Sequence, residues 1–87
     1  MRHHVFWIPE ADIKLQKLIG EAEDPQAIKR VASEIDHWLS RDPQGFGESR
    51  YENIRVAFIR PIAVQFEVLE DHPTVIVLDV WYVSPHS

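Results

Sequence analysis

The sequence predicts an α+β fold in the order β-α-α-β-β-β, an antiparallel meander with a helical hairpin packed on one face of the sheet. Three runs rich in β-branched and aromatic residues, 54–58, 62–68 and 75–83, are separated by two turn signals, which is typical of a meander. In the middle run, large apolar side chains alternate with small or polar ones. Because this period of two gives the sheet one apolar face, that face needs a cover, and two helical patterns precede it.

The first element is expected to be a short edge strand over residues 5–8, an apolar run with two aromatic side chains. Pro9 is well tolerated at the start of a helix, and the acids that follow it suit the positive end of the helix dipole. Apolar residues then recur at helical spacing, at Ala11, Leu15, Leu18 and Ala22. The pattern predicts a first helix over about residues 9–22.

The second helix has a clear start and a clear end. Asp24 followed by Pro25 joins a capping residue to a proline at the first helical position, and Asp42 before Pro43 ends the helix. Between these signals runs one continuous apolar stripe, formed by Ile28, Val31, Ala32, Ile35, Trp38 and Leu39. The short link between the two helices implies an antiparallel hairpin whose stripe packs on the sheet.

The last strand, expected over residues 74–83, is apolar on both faces and is therefore predicted to be central in the sheet. The first strand, reached through a helical crossover, is available as its parallel partner. Residues 44–48 are expected to be a loop, and Arg50 leads from it into a three-stranded meander. Strict alternation puts Ile76, Leu78 and Val80 on one face of the last strand, and Val75, Val77, Asp79 and Trp81 on the other.

Length and composition favour one globular domain over residues 1–87, because 45% of the residues are apolar and 26% are charged. The absence of cysteine excludes disulfides and cysteine-based sites, and we expect no metal or other cofactor. No apolar run reaches transmembrane length, and the first one is too short for a signal peptide. We therefore expect a cytoplasmic protein that does not associate with membranes.

The charge is unevenly distributed around a formal net charge of -5. All nine Lys and Arg residues lie at or before Arg60, whereas residues 61–87 contain four acids and no cation. Non-specific binding to nucleic acid needs a basic footprint. This chain can therefore offer only a local one.

The end of the second helix at 36–43, the glycine-containing loop after it, and the strand runs 54–68 and 75–80 form one ordered pattern of apolar and turn residues. Over about residues 5–83 this pattern resembles the RelE/ParE superfamily of toxins from type II toxin–antitoxin (plasmid stabilisation) systems. The resemblance implies a cognate antitoxin that wraps the sheet and helices. It also implies one of two activities: ribosome-dependent cleavage of mRNA in RelE-like members, or inhibition of DNA gyrase in ParE-like members.

RelE-like nucleases use basic side chains to hold phosphates and stabilise the transition state, and this sequence differs from that pattern in two places. Ala63 stands about where the resemblance places an arginine after the proline turn, and Arg60 is the nearest substitute. No Lys or Arg follows the last strand. A second hypothesis therefore stands beside the toxin, namely a catalytically degenerate member that acts as a non-enzymatic protein-interaction module.

Arg50, Arg55 and Arg60 form the first group of candidate site residues. Arg55 is expected on the uncovered face of the sheet or at its rim, where a guanidinium can grip a phosphate with two hydrogen bonds. We assign RNA binding to Arg50 and Arg55, and catalysis to Arg55 and Arg60. The alternative is that they are solvated strand residues that discourage edge pairing.

Tyr82 and His86 are the candidates for proton transfer during attack by a 2′-hydroxyl, and Tyr51 competes for the same role. The alternative is a tyrosine at the end of the sheet and a terminal histidine without function. Trp81 is expected either to pack beneath a crossing segment or to belong to an apolar patch that binds the antitoxin. The other two tryptophans, Trp7 and Trp38, are expected in the core.

Overall fold

The computed structural model describes residues 2–69 and 71–83. Its two helices, α1 and α2, span Pro9–Glu21 and Pro25–Arg41. The strands are β1 (His4–Trp7), β2 (Glu48–Tyr51), β3 (Ile54–Ile59), β4 (Ile62–Val68) and β5 (Thr74–Tyr82). Within these residues the strands form one sheet in the order β1-β5-β4-β3-β2, with β1 parallel to β5 and every other pair antiparallel. The predicted fold class and the parallel pairing of the first and last strands are confirmed.

Strand β2 is the element that the sequence did not predict. Residues 48–51 pair with β3 and extend the expected three-stranded meander to four strands. All four side chains are exposed, so the segment has no apolar alternation from which a strand can be recognised. Glu52, with φ of 50°, turns the chain from β2 into β3.

The helices begin where the sequence predicts, for the expected reasons. The Asp24 carboxylate accepts a hydrogen bond of 3.2 Å from the Ala27 N–H and caps α2, and Pro25 follows at the first helical position. The apolar stripe of α2 is buried except at Trp38, which is 47% exposed. The expectation that Trp38 lies in the core is therefore wrong, because it sits near the end of the helix, where its ring stacks on Phe46 at a centroid distance of 6.3 Å.

The core lies between the two helices and one face of the sheet. Each large apolar side chain that is fully buried there stabilises the fold by roughly 1.5–3 kcal/mol through the hydrophobic effect. Helix side chains at Ala11, Leu15, Ile28, Ile35 and Leu39 meet sheet side chains at Ala57, Ile62, Val64, Phe66, Val75, Val77 and Val80. The helical hairpin thus covers only the face of β4 that carries its large apolar residues.

A β-bulge in β5 changes which residues face the core. In the pairing with β4, Phe66 lies opposite Val77 and Gln65 lies opposite Asp79, so that Leu78 is an additional residue. Strict alternation fails at an inserted residue. Val80 therefore joins Val75 and Val77 in the core, and Trp81 lies on the opposite face, contrary to the sequence prediction.

The bulge also places Asp79 at the edge of β5 beyond the last residue that β1 covers. Its carboxylate accepts a hydrogen bond of 2.8 Å from the Val80 N–H and one of 2.9 Å from the Lys14 ammonium of α1. An acid among apolar residues needs a donor, and a lysine of the first helix supplies it.

Candidate functional site

The face of the sheet that the helices leave uncovered carries an apolar surface, which we call the open face. The register assigns residues to it, because cross-strand partners point to the same side of a sheet. Among the described residues, the core cluster includes the alternate residues of these strands and none of the residues assigned to the open face. The open face is formed by Phe6, Ile54, Val56, Phe58, Ala63, Gln65, Glu67, Ile76, Trp81 and, opposite Gln65, Asp79.

One end of the open face is an aromatic ridge. Phe58 and Trp81 flank Ala63 on the two neighbouring strands, and their rings meet edge to face at a centroid distance of 6.4 Å. Ala63 beneath them is 0% exposed, whereas Phe58 is 52% exposed. The position at which the resemblance to RelE-like nucleases implies an arginine is thus buried under two aromatic rings.

Arg55 lies on the helix-covered side of the sheet, so the first of its two expected positions, the uncovered face, is wrong. It is paired with Phe66, whose side chain is fully buried in the core. Its Nη2 donates a hydrogen bond of 2.9 Å to the Gly47 carbonyl, and its Nε is buried without a hydrogen-bond partner. Arg55 therefore ties the turn before β2 to β3, and its guanidinium is engaged in structure.

The turn before β2 requires a glycine at position 47. Its φ is 89°, and a Cβ atom there would lie 2.6 Å from the Val56 carbonyl oxygen. Only glycine adopts this conformation without strain at so close an approach. The short strand β2 that follows is held by this turn and by its pairing with β3.

Arg50 and Tyr51 lie on β2, the outer strand of the meander. Arg50 forms an ion pair of 3.3 Å with Glu48, and both side chains are largely exposed. Tyr51 is 68% exposed. Exposed ion pairs contribute about 0–1 kcal/mol, so this one is a weak restraint on the arginine.

Arg60 and Tyr82 are brought together at one end of the molecule. Both line a groove of about 680 Å³ between the turn of the helical hairpin and the turn from β3 to β4. We call this the hairpin groove. Its other charged lining residues are Arg30, Glu21, Glu23 and Asp24, and its apolar lining includes Leu18, Ile28, Val31 and Pro61. The Arg60–Pro61 peptide bond at this turn is cis.

The predicted catalytic residues do not converge on one point. Five residues of extended chain separate Arg55 from Arg60, which corresponds to roughly 16 Å. Trp81 and Tyr82 point to opposite faces of β5, because Trp81 is paired with Ala63 and Tyr82 with Ile62. His86 lies outside the described residues. The sequence therefore named two of the residues of the hairpin groove but no complete catalytic arrangement.

A second, more polar pocket of about 650 Å³ lies between β1 and the end of α2 and includes Arg2, His3, His4 and His37 in its lining. The Trp7 indole N–H donates a hydrogen bond of 2.7 Å to the Asp36 carboxylate, so Trp7 is tethered at the margin of the core. Partial desolvation raises the pKa of the Asp36 carboxyl above its ordinary value, and the hydrogen bond from Trp7 opposes that rise.

Within residues 2–69 and 71–83, no group of three or more potential metal ligands is close enough to hold an ion. No helix in the same part of the chain is long and apolar enough to cross a membrane.

Two members of the open face, Phe58 and Glu67, are not among the candidate site residues that the sequence predicts. Phe58 was counted only as part of a strand, and Glu67 only as a polar residue in an alternating pattern. The signal that identifies them is positional: Phe58 alternates with core-facing Ala57 and Ile59, and Glu67 lies between core-facing Phe66 and Val68. A large apolar residue on the polar side of such a pattern indicates a contact surface.

The comparisons with known proteins rest on structure, since no protein-family model and no curated protein matches the sequence. The toxin–antitoxin complex RelBE2 from Mycobacterium tuberculosis matches with a TM-score of 0.77 at 24% identity, over 94% of this chain and 99% of that chain. The chromosomal ParDE toxin–antitoxin system from P. aeruginosa matches with a TM-score of 0.75 at 16% identity, over 95% and 98%. The isolated E. coli RelE toxin matches with a TM-score of 0.68 at 12% identity, over 94% and 85%.

These likenesses cover the strand, the helical hairpin and the meander together, and they confirm the resemblance in fold that the sequence predicts. The chain has the fold shared by the RelE and ParE toxins over nearly its whole length.

Proposed function

We propose that this protein is the toxin component of a type II toxin–antitoxin system, acting in the cytoplasm as a single domain, and that it inhibits a protein target without cutting RNA. The observation that carries the toxin role is the fold, which covers at least 94% of the chain in each of the three structures compared. Two of those structures are toxin–antitoxin systems, so a cognate antitoxin is the first partner to expect.

The charge of the open face distinguishes cleavage of RNA from inhibition of a protein target. A nuclease that grips mRNA must offset the charge of the phosphates with Lys or Arg side chains. None of the residues that form the open face is a Lys or Arg: its acids are Glu67 and Asp79, of which Asp79 is paired with Lys14 of α1, and the aromatic ridge covers Ala63. An apolar surface with an acid suits a protein partner. DNA gyrase is the target that resemblance to ParE-like members implies.

A second candidate function, RNA cleavage, is favoured by one observation. Arg60 and Tyr82 line the same groove, so a guanidinium and a phenol lie at one site. A guanidinium can stabilise charge on a phosphate, and a phenol can take part in proton transfer. The acids Glu21, Glu23 and Asp24 line that groove as well, and their charges oppose the entry of a polyanion.

Induced expression separates the candidates. We expect growth arrest without new mRNA 5′ ends, and we expect the double variant Arg60→Ala/Tyr82→Phe to arrest growth as strongly as the parent protein. The control is Arg50→Ala, which removes an exposed arginine outside the groove. New ribosome-phased 5′ ends that disappear only in the double variant would establish the nuclease instead. An absence of arrest at a confirmed level of folded protein would leave the interaction module.

A further inference from the structure

The pocket of about 650 Å³ between β1 and the end of α2, here called the polar pocket, has walls that hydrogen bonds join at two points. The backbone N–H of His3 donates to the Ser40 carbonyl at 2.7 Å, and the Trp7 indole N–H donates to the Asp36 carboxylate at 2.7 Å. Because both bonds run from the strand to the helix, the walls are held in place without a ligand. A site preformed in this way loses little conformational entropy on binding.

The helix wall of the polar pocket carries polar side chains. Those that line it are Ser33, Asp36, His37 and Ser40. Residues three and four positions apart share one face of a helix, so this wall is continuous. The hydroxyl of Ser33 and the imidazole of His37 can donate hydrogen bonds to an oxyanion. Asp36 is the one acid in the described lining, and the Trp7 indole already donates to it.

The strand wall adds backbone donors, because β1 is at the edge of the sheet. In the described sheet β1 pairs with β5 alone. The N–H groups of His4 and Ile8 donate to β5, so the alternate N–H groups of Val5 and Trp7 point towards the outer edge. Val5 and Trp7 both line the polar pocket. N–H groups at the edge of a sheet can contribute to a concave site for an anion.

The charge of the polar pocket depends on its histidines. Near neutral pH, Arg2 and Asp36 in its lining carry opposite charges and offset each other. His3, His4 and His37 also line it. The Nδ1 atom of His3 is buried and has no hydrogen-bond partner in the described chain. Because histidine changes its charge between about pH 5 and 8, the described lining gains positive charge as the solution becomes acid.

The charges around these histidines do not change this conclusion. Glu34 and Arg41 lie three and four residues from His37 on α2, and their charges are opposite. The β5 residues that pair with β1 are uncharged. The C-terminal end of α2 is the negative end of the helix dipole, and it opposes an anion while the histidines are neutral. Protonation of the histidines therefore decides whether an anion is attracted.

We propose that the polar pocket binds the phosphate group of a small molecule and that its histidines take up protons as it binds. A phosphate ester carries about 1.5 to 2 negative charges at pH 7 and three acceptor oxygens, which suit the guanidinium, imidazole, hydroxyl and backbone donors of this site. A carboxylate has one charge and two oxygens. The net charge of -5 opposes a polyanion that extends beyond the pocket. The site is independent of the toxin role proposed above.

The test follows the imidazole signals of the isotope-labelled, full-length protein by NMR during titration with sulfate at constant ionic strength. Sulfate stays a dianion between about pH 6 and 8, so a change in its affinity over this range reports the protein. We expect shifts at His3, His4 and His37, and about fivefold tighter binding at the lower pH. Glycerol phosphate, a small phosphate ester, should shift the same signals.

Two pairs of variants make the prediction specific to the pocket. Arg2→Ala should weaken sulfate binding about fivefold at both pH values, because the guanidinium is always charged. Its control, Arg50→Ala, lies on β2 at the opposite edge of the sheet and should leave the affinity unchanged. His37→Asn should weaken binding about threefold at the lower pH and hardly at the higher one. Its control, His72→Asn, is an exposed position outside the described lining and should have no effect.

A merely structural role of His37 would not produce a loss that depends on pH in this way. Thermal melts of the four variants check that each is folded. The proposal would be overturned by an absence of histidine shifts at millimolar sulfate, by equal affinities at the two pH values, or by equal losses in a variant and its control. An equal response to chloride would identify screening by salt.

Single-stranded oligoadenylate distinguishes a small ligand from a nucleic acid. We expect it to bind the polar pocket no more tightly than glycerol phosphate does, because its further phosphates meet a negatively charged protein. Binding more than about tenfold tighter, with shifts of the same histidines, would assign the site to a polyanion and contradict a small ligand. None of these measurements depends on growth arrest, so the toxin role stands or falls separately.

Discussion

The two faces of the sheet differ in what their side chains contact, although they are built from alternate residues of the same strands. On the helix side, Phe66 is 0% exposed and packs in a continuous core. On the other side, Phe58 of the neighbouring strand is 52% exposed, and its ring meets that of Trp81 edge to face. The same residue type thus serves stability on one face and is available for recognition on the other.

This difference shows how a chain of 87 residues can combine a stable fold with a binding surface. A small domain buries only a modest core, and apolar side chains left in water add little to its stability. Because Phe6, Phe58 and Trp81 lie on the open face, their apolar surface contributes less to the stability of the fold than it would in the core. A partner that covers them would recover it, so we expect the protein to be more stable in a complex.

The largest effect on stability is expected when the same Phe→Ala change is made on each face of the sheet. Phe66→Ala should lower the free energy of unfolding by about 3–5 kcal/mol, because it leaves a cavity among buried residues. Phe58→Ala, the same change on the open face, should cost about 1 kcal/mol or less. Urea denaturation of both variants measures the difference. Similar losses would mean that the two faces are not divided between stability and recognition.

An intermediate effect is expected at the turn that holds β2. Gly47→Ala should cost about 1–3 kcal/mol, since φ is 89° and the new Cβ atom would meet the Val56 carbonyl. Gly20→Ala in α1 is the control, because nothing lies within 4 Å of its Cβ position and alanine favours a helix by up to about 1 kcal/mol. The two changes should therefore shift the urea midpoint in opposite directions. An unchanged or raised midpoint for Gly47→Ala would refute the assignment of strain to Gly47.

The smallest effect concerns Asp36, which lies away from both faces. Because its pKa is raised in the folded state, protonation favours folding; this contribution is present below the ordinary aspartate pKa and is lost as pH rises through the raised value. Asp36→Asn keeps an acceptor for the Trp7 indole and cannot ionise. The variant should gain stability relative to the parent as pH rises from about 4 to 7, by less than about 1 kcal/mol because the side chain is largely exposed.

Urea denaturation at several pH values tests this sign. Glu34→Gln, a matched loss of one exposed carboxylate on the same helix, should show no comparable trend. A relative loss of stability for Asp36→Asn with rising pH would mean that the charged carboxylate stabilises the fold through Trp7.

The sequence correctly predicted the elements that have a strong hydrophobic period or a clear start or end signal. Asp24 and Pro25 marked the start of α2, and the alternation in β4 correctly divided Phe66 from Gln65. It was insufficient where geometry depends on a neighbouring strand. Strand β2 exists because it pairs with β3, and its exposed residues carry no signal of their own.

The candidate site was harder to predict than the fold, for a similar reason. One inserted residue at Leu78 moved Trp81 away from the face of Val75 and Val77, and periodicity in a single strand cannot reveal a bulge. Arg55 was expected on the uncovered face or at its rim, but that face carries Phe58, and Arg55 points to the other side of β3. The direction in which a strand faces is decided by the helices that cover it.

The Lys14–Asp79 pair has a consequence for the protein in the absence of any partner. Beyond Trp7, β1 no longer covers β5, and a bare strand edge is a template for pairing with another chain. The Asp79 carboxylate occupies the Val80 N–H there, and the Lys14 ammonium adds a second charge. This edge is therefore blocked against growth of the sheet from one molecule into the next, which favours a dispersed protein over an aggregated one while its apolar face is still bare.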